Sequence, residues 1–321
     1  MRPLKPWRSY EEQLKQLQAR GLQVEDVTAA KDYLQRIGYY RLSGYWHPLR
    51  VKNHAASKVH KREIREDHFV PGSRFEDVAR LYVFDKKLRL LALDALERIE
   101  MAVRVDIAYR LGKYDPCAHE MPKYLHGNFA KKRAKKGRYK GQTEHEVWLS
   151  KYRQLLKRAQ KPPFIAHHEQ EYGGSIPIWV AIESWDFGLL SRLFAGMQHH
   201  DQQAVAENYG APDGRAFAQW LRSLNLIRNV SAHHSRLWNI NILELSPVPP
   251  TWPSGLRHER PFFYFCIMQQ LLNVICPSSS WKQRLQHLLE NEFPQAFDLN
   301  GFGVFEGWAT WSHWKWRPAG K

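Results

Sequence analysis

Almost everywhere along the chain, apolar positions fall at helical spacing. "SYEEQLKQLQARGL" predicts a short first helix, with Ser9 as N-cap, Glu12 completing a capping box, and Leu14, Leu17 and Leu22 following. "AAKDYLQRIGYYRLSGYWHPLR", residues 29–50, predicts a second helical run that stops at Gly44, its tyrosines and Trp46 serving as packing residues. Residues 51–68 are polar and basic without a period, which predicts an exposed excursion. The strongest signal covers 71–112, where Phe84, Leu88, Leu91, Ala95, Ile99, Ala102 and Ile107 recur at helical intervals with no proline between Pro71 and Pro116. A helix of about thirty residues is expected there, capped by Ser73, stopped by Gly112 and long enough to be the spine of a bundle.

Beyond a basic, low-complexity stretch at 113–145, an amphipathic run spans 147–156, and Pro177 opens a helix expected to continue to Phe194. "APDG" at 211–214 is a turn, after which "RAFAQWLRSLNLIRNVSAHHSRLWNINIL" predicts the second strong helix, ended by "SPVPPTWPSG". Two shorter helices, 260–275 and 281–292, precede a tryptophan-rich tail, "GWATWSHWKW". There is no internal repeat, Gly-rich phosphate loop or series of alternating strands, so the fold class is all-α. The expected organisation is an N-terminal helical region at 1–70 packed on a core at 71–245, which carries the basic insertion, and a Trp-rich helical region at 246–321.

Composition adds a charge. The net formal charge is +16, and residues 121–161 hold thirteen Lys/Arg against two Asp/Glu. Such a field suits a polyanion, most simply nucleic acid, and Lys131, Lys132, Arg133, Lys135, Lys136, Arg138 and Lys140 are the candidate RNA contacts. A solvated loop that only aids solubility is the alternative. Cys117, Cys266 and Cys276 are odd in number and form no CxxC pair, which argues for a reducing compartment and against a thiolate metal site. No apolar run approaches membrane-spanning length and no secretory leader is evident, so a cytoplasmic protein without membrane insertion is expected.

The stretch "RNVSAHHSRLWN", residues 228–239, concentrates the candidate chemistry. On a helical wheel with Arg228 at zero, Leu226, Leu237, Val230, Ile227, Trp238 and Leu224 fall between about 160° and 320°. Asn225, Arg236, Asn229, Arg222 and His233 gather at roughly 60° to 140°. The wheel presumes an unbroken helix through residue 238 and turns His234 toward the apolar arc, as a core histidine. An imidazole exchanges protons near neutral pH and a guanidinium holds phosphate through a fixed fork, so His233 and Arg228 suffice for cleaving RNA through its 2′-OH without metal. The two lie about 7.5 Å apart along the axis and about 140° around it. One helix presents them poorly to a single phosphate, and a facing second copy makes a homodimer the natural active unit. Glu97, Glu100 and Arg104, neighbours by helical spacing, read as a surface ion network rather than catalytic carboxylates. Adjacent histidines diverge by a hundred degrees, so His167/His168, His199/His200 and His233/His234 are poor chelates; neither a metal nor a cofactor is expected.

"LRSLNLIRNVSAHHSRLWN" resembles the signature of the Abi-like (abortive infection, AbiD/AbiF type) bacterial proteins of the HEPN superfamily of helical ribonucleases. "SYEEQLKQLQARGL", "GYYRLSGYWHPLR", the 71–112 segment and "PIWVAIESWDFGLLSRLF" resemble the family in the same order, so the likeness covers most of residues 8–240. It implies a HEPN-type helical bundle with additional N- and C-terminal helices. It also implies a metal-independent endoribonuclease active in phage defence, built from two facing R-x4-6-H motifs, with a noncoding RNA or protein antitoxin as a restraining partner. Arg228 and His233 match that motif, Asn229 is the polar residue after the arginine, and His234 also satisfies the spacing. His234, Arg236, Arg222, Asn225 and Glu100 are the candidate supporting residues. Ser235 stands where HEPN toxins silenced by nucleotidylation carry tyrosine. The alternative is a non-catalytic HEPN module that binds RNA or protein.

Overall fold

Helices build this chain because its apolar residues recur at a period that strands cannot use. The computed structural model describes residues 5–157, 163–173 and 175–314; Arg158 and Lys161 of the basic stretch and Trp316 of the tail lie outside them. In order the elements are α1 (Tyr10–Ala19), α2 (Val27–Ile37), α3 (Tyr39–Trp46), β1 (Arg50–Lys52), α4 (His54–His60), β2 (Arg65–Phe69) and α5 (Phe75–Gly112). Then come α6 (Gly127–Ala130), α7 (Glu144–Leu156), α8 (Pro163–Tyr172), α9 (Ile178–Ala181), α10 (Phe187–Gly196), α11 (His199–Asn208), α12 (Gly214–Ala232), α13 (Pro261–Ile275) and α14 (Trp281–Asn291). The fold is all-α apart from one two-stranded sheet among the described residues. It divides into two compact units, Met1–Arg89 with Gln283–Gly301, and Leu90–Lys282 with Phe302–Lys321.

The first unit begins with the expected capping box: the Ser9 hydroxyl accepts from the Glu12 N–H at 3.2 Å and the Glu12 carboxylate accepts from the Ser9 N–H at 2.7 Å. The run at 29–50 is broken at Gly38, not Gly44. Gly38 takes φ +90°, open to glycine at little cost, whereas the next helix runs through Gly44 to Trp46. Residues 51–68 are also more ordered than expected. β1 and β2 pair antiparallel, Arg50 opposite Phe69 and Lys52 opposite Arg65, with α4 between them. Backbone pairing needs no apolar period, which is why the pattern does not show it. Ser73 does not cap α5, because the helix begins at Phe75 and leaves Ser73 one residue outside the N-cap, where its hydroxyl donates to the Val70 carbonyl at 2.7 Å; Glu76 and Asp77 supply negative charge to the first turn. Deeper in, the Tyr45 hydroxyl donates to Asp85 at 2.6 Å and Arg89 pairs with the same carboxylate, a fully buried polar triad.

In the second unit, α5 buries Leu91, Ala95, Ile99, Val103, Ile107 and Leu111 along one stripe. The helix expected from Pro177 to Phe194 is two. Trp185 turns extended at ψ 142°, and Asp186 restarts the chain as N-cap of α10, accepting from the Leu189 N–H at 2.7 Å. α11, absent from the sequence reading, packs on α12 so closely that a Cβ on Gly214 would lie 2.7 Å from the Gln202 Cβ. The 113–145 stretch is basic but not wholly loop: Ala118, His119, Leu125, Phe129 and Ala130 are core residues. Only 131–142 is continuously exposed, folded as a hairpin by a bridge between Arg133 and Thr143. The tryptophans of the tail cover α13. Trp314 stacks on Phe262 at 5.7 Å between centroids, and Trp308 meets the same ring edge-on. No helix among the described residues is long and apolar enough to cross a membrane.

Candidate functional site

The site is organised by α12. Asp213 caps its start, accepting from the Ala216 N–H at 2.7 Å, and Phe217, Trp220, Leu221, Leu224 and Ile227 bury its apolar face. Asn225, Arg228 and Asn229 lie half-buried beyond that face, and Arg222 is exposed. The helix ends at Ala232, six residues before the wheel assumed. His233 is the C-cap, its N–H bonded to the Asn229 carbonyl at 3.0 Å. His234 is left-handed at φ +57°, and its N–H and that of Ser235 close on the Ser231 and Val230 carbonyls at 3.2 and 2.9 Å. This is a Schellman cap with histidine where glycine is usual.

The cap corrects two expectations. His234 is exposed, not a core histidine, because the left-handed turn swings it off the helical path. Arg236 is not on the polar arc of α12, and Leu237 and Trp238 reach the core from the chain beyond the helix. His233 keeps the exposure that the wheel gave it.

Arg228 lies within electrostatic reach of the Glu100 carboxylate. Burial pushes the Glu100 carboxyl above its ordinary range, the positive fields of Arg104 and Arg228 oppose that shift, and the nearby Asp186 and Glu97 charges add to it. Glu100 and Arg104 form the i,i+4 pair expected on α5, but the pair is withdrawn from solvent, with 15% and 13% of the side chains exposed. Arg104 also donates to the Trp185 carbonyl at 2.6 Å. The expected surface network is therefore a half-buried one, and exposed Glu97 is not ion-paired in it. Among the described residues, the Arg228 side chain makes only a long hydrogen bond to Asn229, at 3.4 Å. Its guanidinium is held near a carboxylate without being consumed by one.

Next to Asp186 stands Gly188, where a Cβ would lie 3.2 Å from the Asp186 carboxylate and 3.5 Å from the Asn225 amide. On either side of that contact open two cavities, of about 380 and 530 Å³, which share Gly188, Arg192 and Asn225 in their walls. The first is bounded by α7 through Lys151, the second by the basic hairpin through Ala134 and Tyr139 and by Arg222. Lys131, Lys132, Lys135, Lys136, Arg138 and Lys140 are all exposed on the hairpin. Arg133 holds it together, pairing with Glu146 at 3.3 Å and donating to the Gly141 carbonyl. Asp186, Gly188, Arg192 and Lys151 were not picked out from the sequence. Asp186 alone carried a signal, an aspartate just ahead of an apolar run.

No three His, Cys, Asp or Glu side chains converge as a metal-binding group among the described residues. The fold is helical, and arginine and amide side chains gather along α12 with a histidine at its C-cap. The chain belongs to the Abi-like protein family, whose model matches residues 32–239 and so includes the whole of α12. No curated protein and no solved structure matches it.

Proposed function

We propose that the protein is an anti-phage abortive-infection effector of HEPN type, a metal-independent endoribonuclease that works as a homodimer. The family supports the biological role. The chemistry rests above all on one observation: His233 ends α12 exposed, on the same helix that holds Arg228 half-buried beside a carboxylate. In this reading His233 takes the proton of a ribose 2′-OH, and the 2′-oxygen attacks the adjacent phosphorus. Arg228 stabilises the charge that develops on the phosphoryl oxygens. The bond to the 5′-oxygen then breaks, and the histidine of a second copy returns a proton to that leaving group. RNA supplies its own nucleophile, so the step needs no other co-reactant.

A second copy also answers a surface feature of α5. Met101, Val105 and Tyr109, four residues apart, form an exposed apolar ridge on the turns that carry Glu100 and Arg104. Seating another protomer there would bring two Arg228/His233 pairs toward one phosphodiester.

Labelled RNA incubated with purified protein in excess EDTA tests the reading. Cleavage by the wild type, lost in both His233→Ala and Arg228→Ala, supports it. Binding without cleavage in all three proteins would make this a non-catalytic module.

A further inference from the structure

The basic hairpin and the polar arc of α12 are ninety residues apart in sequence, yet they face each other across one cleft. Its larger lobe, about 530 Å³, is lined by the hairpin's Tyr139 and Gln142 together with Arg192, Arg222 and Asn225. Its smaller lobe, about 380 Å³, continues past Gly188 to Lys151 and Asp186. Gly188 keeps the passage between them open, since any side chain there would project into the contact with Asn225. Asn225 lies one helical turn before Arg228. The cleft wall at Asn225 is therefore one turn of α12 from Arg228.

We infer that this cleft is the seat of the substrate strand: it binds single-stranded RNA, with unstacked bases in the lobes and phosphates on Arg192, Arg222 and the hairpin lysines. The inference rests on the ribonuclease reading for its substrate but on different residues. Three features select a single strand. Arg192, Arg222 and Lys151 are exposed, and none is in an ion pair among the described residues, so their charges are available to phosphates. Tyr139 is 39% exposed, with Arg138 over its ring at 5.5 Å, an aromatic platform beside a cation that suits a base. The walls also carry carboxylates, Asp186, Glu144 and Glu244. Those repel an acidic peptide or a cluster of free phosphates, but they accept hydrogen bonds from the amino and imino groups of unpaired bases. A duplex buries those same edges and cannot use them.

The test is equilibrium binding of a short, unstructured, fluorescently labelled RNA to the full chain carrying His233→Ala, so that no cleavage intervenes. Adding Arg192→Ala with Arg222→Ala should weaken binding at least tenfold and flatten its dependence on salt by about 1.4 in log–log slope, the share of two phosphate contacts to a single strand. Gly188→Met, which removes no charge, should weaken binding while leaving that slope in place. A duplex of the same sequence, or polyglutamate, should compete poorly. Unchanged affinity and slope in the double variant, or equal competition by duplex or polyglutamate, overturns the inference. The two readings fail separately. Cleft-dependent binding with no cleavage by wild-type protein keeps the cleft and removes the enzyme; cleavage indifferent to Arg192 and Arg222 does the reverse.

Discussion

His233 and His234 are adjacent in sequence but occupy opposite backbone basins, φ −88° and +57°, so the two imidazoles leave α12 in different directions. Both satisfy the spacing of the arginine–histidine motif. Only His233 sits where the helix still governs its direction relative to Arg228.

Exchange of the left-handed residue separates them. His234→Gly should keep RNA cleavage within a few-fold and raise stability by about 0.5–1 kcal/mol, since glycine adopts φ +57° without the Cβ penalty. His233→Ala should abolish cleavage with little change in melting temperature. Loss of activity in His234→Gly with retention in His233→Ala would reverse the assignment.

The apolar ridge on α5 predicts a concentration-dependent assembly. Sedimentation should show the wild type as a dimer and Val105→Asp as a monomer, with cleavage falling at least tenfold in the variant. A wild type that is fully active as a monomer would refute the shared site.

Gly196 is the point at which α10 meets the base of the hairpin. A Cβ there would lie 2.4–2.7 Å from the Phe129 ring, and the Gly196 carbonyl also accepts from the His126 N–H at 3.0 Å. Gly196→Ala should therefore destabilise by about 1–3 kcal/mol through overpacking. Thermal unfolding checks the energy. RNA affinity should fall as well, because Phe129 is both displaced by the methyl and part of the cleft wall.

Acid should act through His119. It is fully buried among Trp148, Tyr152 and Trp185, and burial lowers its pKa to about 3. Its neutral form is the one the fold accepts, so the unfolded chain, with an ordinary imidazole pKa near 6.5, binds the proton first. Stability is then whole above about pH 6.5 and is lost progressively as pH falls toward 3, by about 2 kcal/mol at pH 5. His119→Phe keeps an aromatic ring without the titrating nitrogen. Its melting temperature should decline less than the wild type's between pH 7 and pH 5; an identical decline would place the acid sensitivity elsewhere.

Several features made by residues near one another in the chain are legible in the sequence. Ser9 and Glu12 form the box their spacing announces, the long helix ends at Gly112, and α13 and α14 lie within a residue of their expected bounds. The break at Trp185 and the cap at His233–Ser235 were hidden because neither uses glycine or an internal proline as its marker. Of the site, the gathering of Arg222, Asn225, Arg228, Asn229 and His233 along α12 was legible from a single period. What faces them was not. Asp186, Gly188 and Arg192 arrive on α10, and Lys151 on α7, through packing that no local pattern encodes.

The order in which the two compact units are assembled along the chain bears on how the protein is made. The first unit takes its last segment from Gln283–Gly301, and the second resumes at Phe302. A ribosome moving from the N-terminus therefore cannot complete the first unit until Gln283–Gly301 has emerged, after most of the second unit has been made. A chain interrupted before Trp308 leaves α13 without the two tryptophans, Trp308 and Trp314, that cover Phe262.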